Sequence, residues 1–232
     1  MGIAMLFIVM TGITYTIIKA LVAGGAATGV TTTSYSFIKG ALGNNFSILI
    51  AVFVAIAATE DNASGTMKNV IGRGSSRLKV FLSKYLVSLI AVIIISALVV
   101  LVAILYGTLA FDKGEITDNL AVIIFGQLFS LVAYHAVFYA IASGFGKIGP
   151  AIAVCIIGPM GVTLALTIAN TALAGKTGLD KYLPGNYWLD GLFANFTNKA
   201  NPIGDAACFG LLFGYFIVAL FIGFMINRKR EY

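Results

Sequence analysis

The sequence predicts an all-α membrane protein with several spans, and three observations lead to this fold class. Hydrophobic residues make up 59% of the 232 residues and charged residues only 10%. Soluble domains have about a quarter of their residues charged, so this chain lacks the polar groups to cover a surface facing water. Six apolar runs approach the length that a helix needs to cross a bilayer. The third observation is a short, charge-dense segment between two of these runs, residues 60–77.

The predicted spans follow the apolar runs in order, and we expect one transmembrane domain over residues 1–232. Helices are expected because an open backbone finds no hydrogen-bond partner in lipid. The second run is the shortest. A cleavable signal peptide has basic residues before its apolar run, whereas Lys19 follows the first run here. The predicted spans are residues 2–23, 41–58, 85–109, 120–143, 150–174 and 206–227.

The distribution of charges predicts the orientation of the spans. If residues 59–84 are cytoplasmic, that side has nine basic residues against three acidic ones, and the outer side has six of each. Basic residues accumulate on the cytoplasmic side of membrane proteins, so both termini are predicted to be cytoplasmic. The expected cytoplasmic basic residues are Lys68, Arg73, Arg77, Lys79, Lys84, Lys147, Arg228, Lys229 and Arg230, and the expected outer ones are Lys19, Lys39, Lys113, Lys176, Lys181 and Lys199.

The charge-dense segment predicts a short amphipathic helix. Met67, Val70 and Ile71 recur at helical spacing, and Asp61 or Ser64 suits its N-cap. An ordinary loop whose basic residues fix topology and bind anionic lipid headgroups would explain the charges alone. The glycines and small polar residues among these charges favour a shaped contact surface instead.

A corner is expected after this helix, before the third span begins. Gly72 and Gly74 should break the helix, and Ser75 or Ser76 should cap the next one. The long helix that follows would rise into the bilayer and could transmit a force applied at its base. Its apolar stripe is expected at Leu78, Phe81, Leu82 and Tyr85.

The same segment resembles the loop between the second and third helices of ABC-2 type transporter permeases. Bacterial members that export antimicrobial and toxin peptides, or give immunity to them, are most similar. The shared pattern is an acidic end of the second helix, Ser-Gly-Thr, a lysine, an apolar pair, Arg-Gly and Ser-Arg. In this chain the pattern reads Glu60-Asp61, Ser64-Gly65-Thr66, Lys68, Val70-Ile71, Arg73-Gly74 and Ser76-Arg77. The basic segment that usually precedes the first helix in that family has no counterpart here.

The resemblance implies that this segment is a coupling helix that docks on an ATP-hydrolysing subunit. Two such ATPase subunits and a second copy of the permease, or a homologue of it, would complete a transporter in the bacterial cytoplasmic membrane. ATP and magnesium would bind to the ATPase, and no cofactor or metal is expected in this chain. The residues implied in ATPase contact are Glu60, Asp61, Ser64, Gly65, Thr66, Lys68, Asn69, Gly72, Arg73, Gly74 and Arg77.

Residues 175–205, between the fifth and sixth spans, are rich in aromatic side chains and leave two interpretations open. They suit an aromatic belt at the outer membrane interface. They also suit a short interfacial or re-entrant helix that closes the outer mouth of a pathway, which the resembled family has at this place. The candidate outer-gate residues are Tyr187, Trp188, Leu192, Phe193 and Phe196.

Within the spans, single residues predict packing roles. His135 is expected to be a packed, neutral residue with a hydrogen-bond partner, because no Asp or Glu lies within any apolar run. Cys155 and Cys208 are expected to be buried small apolar residues. Gly210 and Gly214 make a spacing that favours close helix packing, more readily within one chain than between two copies. Ala219 and Gly223 continue that face.

The sequence contains no motif for catalysis. It lacks a phosphate-binding loop, a zinc-protease motif and a nucleophile elbow, so we expect no enzyme activity in this chain alone. Its net charge of +6 lies at the ends of apolar runs, which argues against nucleic-acid binding. The expected function is a permease of an ATP-driven exporter of amphipathic peptides. The alternatives are an ATP-independent channel or carrier, and a membrane immunity protein that binds a toxin peptide without moving it.

Overall fold

A computed structural model describes residues 33–42, 44–63, 72, 74, 76–110, 119–172 and 205–229. This part of the chain is helical and contains no strand, which confirms the all-α class for the described residues. The helices with defined bounds are α1 (Ser34–Gly40), α2 (Asn44–Ala63), α3 (Arg77–Ala110), α4 (Leu120–Ser143), α5 (Ile148–Ala172) and α6 (Asp205–Lys229).

Three helices in the described part are long and apolar enough to cross a membrane, so the chain is a membrane protein. They are Arg77–Leu109, Leu120–Ser143 and Ala206–Arg228, which coincide with the predicted third, fourth and sixth spans. The second and fifth predicted spans fall on α2 and α5, whose described apolar parts, Ile48–Glu60 and Ile148–Gly158, are shorter. The first predicted span lies outside the described residues, and the six-span topology stays a prediction.

The start of α3 confirms one of the predicted caps. The Oγ atom of Ser76 lies 3.4 Å from the Lys79 amide nitrogen, and the Ser76 carbonyl accepts a hydrogen bond from Val80. Before α3, Gly74 has a φ of 88°, a conformation that favours glycine and suits the predicted corner. Gly72 is helical, its neighbours lie outside the described residues, and its part in ending the predicted helix stays a prediction.

The short helix α1 packs against the far end of α3, and no element was predicted there. Thr33 and Ser36 form a capping box at its start. A Cβ on Gly107 of α3 would lie 3.2 Å from Phe37, so glycine permits the close approach. Gln127 of α4 donates a hydrogen bond of 2.7 Å to the Lys39 carbonyl and joins α4 to α1.

Helix α4 occupies the centre of the described bundle and contacts α1, α2, α3, α5 and α6. Phe129 meets Phe209 edge-on, and Ala140 lies against Gly223. The residue numbers rise together along both helices, so α4 runs parallel to α6. Its first turn is capped by the Asn119 side chain, which accepts a hydrogen bond from the Ala121 amide. Cys155 and Cys208 are buried and form no disulfide, and their burial was predicted.

Candidate functional site

Three parts of the chain meet at one end of the bundle: the start of α3, the corner between α4 and α5, and the end of α6. The Arg77 guanidinium donates a hydrogen bond of 2.8 Å to the Arg228 carbonyl, which joins α3 to the last turn of α6. A Cβ on Gly144, after the end of α4, would lie 3.6 Å from Ile226. We call this region the basic end, defined by Arg77, Lys79, Lys84, Lys147 and Arg228.

The described basic residues are divided between the two ends of the bundle as the charge count predicted. All five residues of the basic end belong to the set expected in the cytoplasm. Lys39, expected on the opposite side, lies on α1, which packs at the other end of α3. Long-range contacts between helices therefore bring basic residues that are distant in sequence to one end of the bundle.

The residues predicted to contact an ATPase fall partly within the described structure. Glu60 and Asp61 lie in the last turn of α2, and the Glu60 side chain is exposed. Gly72 and Gly74 are exposed, and a Cβ on either would meet no heavy atom within 4 Å. Arg77 is exposed and contacts α6. The other predicted contact residues lie outside the described residues: Ser64, Gly65, Thr66, Lys68, Asn69 and Arg73.

The candidate outer-gate residues fall in a part of the chain that the structure does not describe. Tyr187, Trp188, Leu192, Phe193 and Phe196 all lie outside the described residues. Both interpretations of residues 175–205, an aromatic belt and an interfacial helix, stay predictions.

A cleft of about 310 Å³ opens between α2 and α3 next to the basic end. Glu60 and Lys84 lie on its wall and bring one negative and one positive side chain into the same cleft. We call it the α2–α3 cleft. Lys84 was predicted as a cytoplasmic basic residue but not as a site residue. The lining residues are Phe53, Ala57, Glu60, Ser83, Lys84, Val87, Ser88 and Ala91.

Ser88 connects this cleft to a buried histidine. The Nε2 atom of His135 lies 2.9 Å from the Ser88 Oγ, and the Ser88 hydroxyl lies 3.0 Å from the Tyr85 carbonyl that it donates to. This hydrogen bond between the Ser88 hydroxyl and Nε2 joins α3 to α4. His135 is fully buried, which confirms the predicted packed histidine with a hydrogen-bond partner.

Aromatic rings surround this histidine and join three helices. The ring of Tyr85 lies 4.9 Å from that of His135 and 5.3 Å from that of Tyr139. Phe81 meets Tyr139 edge-on at 5.5 Å, and Phe216 of α6 lies 6.4 Å from Tyr85. Such rings bury large apolar areas and pack with defined geometry. A displacement of α3 at the basic end would therefore change its ring contacts with α4 and α6.

The described part of the chain offers no group of three or more His, Cys, Asp or Glu side chains placed to bind a metal ion. The polar features of this part are the α2–α3 cleft with Glu60 and Lys84, the exposed start of α3 at Arg77, and the hydrogen bond between Ser88 and His135.

The apolar helices of the bundle define the class of this protein as an α-helical membrane protein. The chain belongs to a family described as a protein of unknown function, DUF2705, whose profile matches residues 2–232. No curated protein matches the chain. The family match spans the described helices and the segments between them.

Proposed function

We propose that this protein is the transmembrane permease subunit of an ATP-driven exporter, with six spans and a separate ATPase subunit as its motor. The observation that carries the proposal is the charge-dense segment 60–77, which resembles the coupling loop of ABC-2 type permeases. The two described ends of this segment, Glu60 and Arg77, are exposed where the basic residues converge. An exposed position at the membrane face suits docking of a cytoplasmic partner.

The contacts of α3 support a coupling role for this segment. Arg77 bonds α3 to α6, and Ser88 bonds α3 to α4. A force applied by an ATPase at residues 60–77 would thus reach three helices through defined contacts. In this proposal the basic end faces the cytoplasm, both termini are cytoplasmic, and two permease copies enclose the pathway above two ATPase subunits.

The composition of the helices supports an amphipathic peptide as cargo. Helices α3, α4 and α5 contain no Asp or Glu, whereas carriers driven by protons or sodium use acidic residues within their spans. A pathway without such charges suits a cargo that is itself partly apolar. The export direction and the link to toxin or antimicrobial peptides derive from the resemblance.

The docking role is tested by the double substitution Glu60→Ala with Arg73→Ala. We expect normal levels of the protein in the membrane, with co-purification of the ATPase and peptide efflux each reduced by about tenfold, since truncating paired interfacial charges weakens binding strongly. The measurement is quantitative mass spectrometry of proteins co-purified from native membranes, together with survival of cells challenged with peptide. The matched control, Lys113→Ala with Asp118→Ala, removes one basic and one acidic side chain from residues 111–118, which follow α3 in the sequence.

Three outcomes would contradict the proposal. A double variant that keeps the complex and full efflux would exclude docking through these residues. Transport by the protein reconstituted alone would identify an ATP-independent channel or carrier. Protection that persists when the ATPase is inactivated would identify an immunity protein that binds the peptide without moving it.

A further inference from the structure

We propose that the α2–α3 cleft binds the headgroup of a zwitterionic phospholipid that bears a primary amine, as phosphatidylethanolamine does. The cleft has a volume of about 310 Å³ and lies between the end of α2 and the start of α3. Lys84 immediately precedes the apolar run predicted as the third span, which begins at residue 85. The cleft is therefore at the depth where lipid headgroups lie, on whichever side of the membrane the basic end faces.

The two charged side chains of the cleft match the two charges of such a headgroup. The Lys84 ammonium has three N–H donors, so it can donate to a phosphate beside the interaction that it already makes. The Glu60 carboxylate can accept hydrogen bonds from a primary amine. Both residues line the same small cleft, so one headgroup can meet both. Charge-assisted hydrogen bonds of this kind are stronger than neutral ones.

The surface of α3 beyond the cleft explains why the ligand should be a lipid and not a soluble zwitterion. Val87 and Ala91 line the cleft, and Val87 is 68% exposed. Side chains spaced three and four residues apart continue in a straight line along a helix. Here that line continues from the cleft over exposed Ile94, Leu98, Leu101 and Leu105. An acyl chain attached to a headgroup in the cleft would lie along this apolar track.

The same chemistry distinguishes three common headgroups. The quaternary amine of phosphatidylcholine has no hydrogen to donate to Glu60. Phosphatidylglycerol has a phosphate for Lys84 but no cation, which would leave two negative charges close together beside Glu60. Phosphatidylethanolamine alone of the three supplies a cationic donor to the carboxylate together with a phosphate acceptor for the ammonium, since the glycerol hydroxyls of phosphatidylglycerol donate only neutral hydrogen bonds.

The proposal is tested by competition between lipids on the purified protein in detergent, without any ATPase. The protein is incubated with equal amounts of phosphatidylethanolamine, phosphatidylcholine and phosphatidylglycerol with identical acyl chains, and the retained lipids are counted by native mass spectrometry. We expect phosphatidylethanolamine to be retained about tenfold over each competitor. Lys84→Gln and Glu60→Gln should each abolish the preference, and Lys84→Arg should keep it.

Two further variants separate the site from general effects on the protein. Lys79→Gln removes an exposed charge from the same helix outside the cleft, and it should leave the preference unchanged. Ala57→Phe fills the cleft without changing a charge, and it should reduce the retained phosphatidylethanolamine. Each variant is compared as a monodisperse fraction from size-exclusion chromatography.

Several results would overturn the proposal. Equal retention of the three lipids, dominance of phosphatidylglycerol, or a preference that survives Lys84→Gln would each do so. Displacement of the lipid by an equal concentration of soluble phosphoethanolamine would show that the apolar track contributes nothing. Glu60 belongs to both the α2–α3 cleft and the proposed ATPase contact, whereas Lys84 belongs only to the cleft. The lipid assay contains no ATPase, so Lys84→Gln tests lipid selectivity separately from ATPase docking.

Discussion

The two halves of α6 contain the same kind of small residue but are packed in opposite ways. Near the basic end, a Cβ on Gly223 would lie 3.1 Å from Ala140 and from the ring of Phe81. Towards the other end, Gly210 and Gly214 are exposed, and a Cβ on either would meet no heavy atom within 4 Å. The predicted close packing within the chain is thus confirmed at Gly223 and is wrong, in the described structure, at the other two glycines.

This difference shows that small residues permit a close approach of helices but do not cause it. In a membrane, lipid is as apolar as a neighbouring helix, so packing depends on shape and on polar contacts. The basic half of α6 has both, because Phe81 and Tyr85 present rings to it and α3 is bonded to α4 beside them. The other half packs through Phe209 and the buried Cys208 and Leu212, and its Gly210 and Gly214 lie on the exposed side.

The largest effect is expected from a matched pair of substitutions on α6. Gly223→Leu places a side chain against the backbone of Ala140, and it should lower the free energy of unfolding by about 1–3 kcal/mol, as overpacking does. Gly214→Leu should leave it unchanged, since the position is open. Equilibrium unfolding in mixed micelles measures the free energy of unfolding of both variants. Equal losses would mean that the two halves are packed alike, and a change of oligomeric state in Gly214→Leu alone would place a second copy on the open half.

A smaller effect is expected for the hydrogen bond between α3 and α4. Ser88→Ala leaves the Nε2 of His135 without its partner and should cost about 0.6–1.7 kcal/mol, as for hydrogen bonds between helices in membranes. Ser96→Ala is the matched control, because Ser96 is also buried but bonds the Val92 carbonyl of its own helix. A double-mutant cycle of Ser88→Ala with His135→Ala measures the coupling. A coupling free energy of zero would show that the Ser88–His135 hydrogen bond does not contribute to the packing beside the basic half of α6.

The smallest effect is expected at the exposed contact between α3 and α6. Arg77→Ala removes a cation from the carboxyl end of α6 and should cost about 0.3–1 kcal/mol. Hydrogen exchange should rise in the last turn of α6 and nowhere else in that helix. Lys79→Ala, which removes an exposed cation two residues away, is the comparison. Equal exchange in wild type and Arg77→Ala would show that the basic end does not depend on this bond.

The sequence predicted helices best where chemistry marks their ends. The predicted fourth span coincides with α4 at both ends, because Asn119 caps its start and Gly144 follows its end. Ser76 was one of two expected caps for α3 and is the one observed. Helix α3 begins before the predicted span, since Arg77 to Lys84 are helical although they are too polar for an apolar run.

The candidate site was less predictable because it depends on contacts between distant residues. Phe81 and Tyr85 are buried whereas Leu78 and Leu82 are exposed, yet all four belong to one predicted apolar stripe. Hydrophobicity cannot separate these two faces in a membrane, because lipid and protein core are equally apolar. The hydrogen bond between Ser88 and His135 could not be predicted from the sequence either, because the two residues are 47 positions apart. The missed helix α1 did have a signal in its Thr33–Ser36 capping box.

The 34 residues of α3 also have a mechanical consequence. At 1.5 Å per residue the helix is about 51 Å long, well beyond the roughly 30 Å of the bilayer's hydrocarbon core. Tilting a rigid rod of that length by about ten degrees around its midpoint moves each tip by about 4 Å, in opposite directions. A modest rotation at the Arg77 tip would thus appear at the far tip, against α1, as a sideways shift comparable to the diameter of a methyl group.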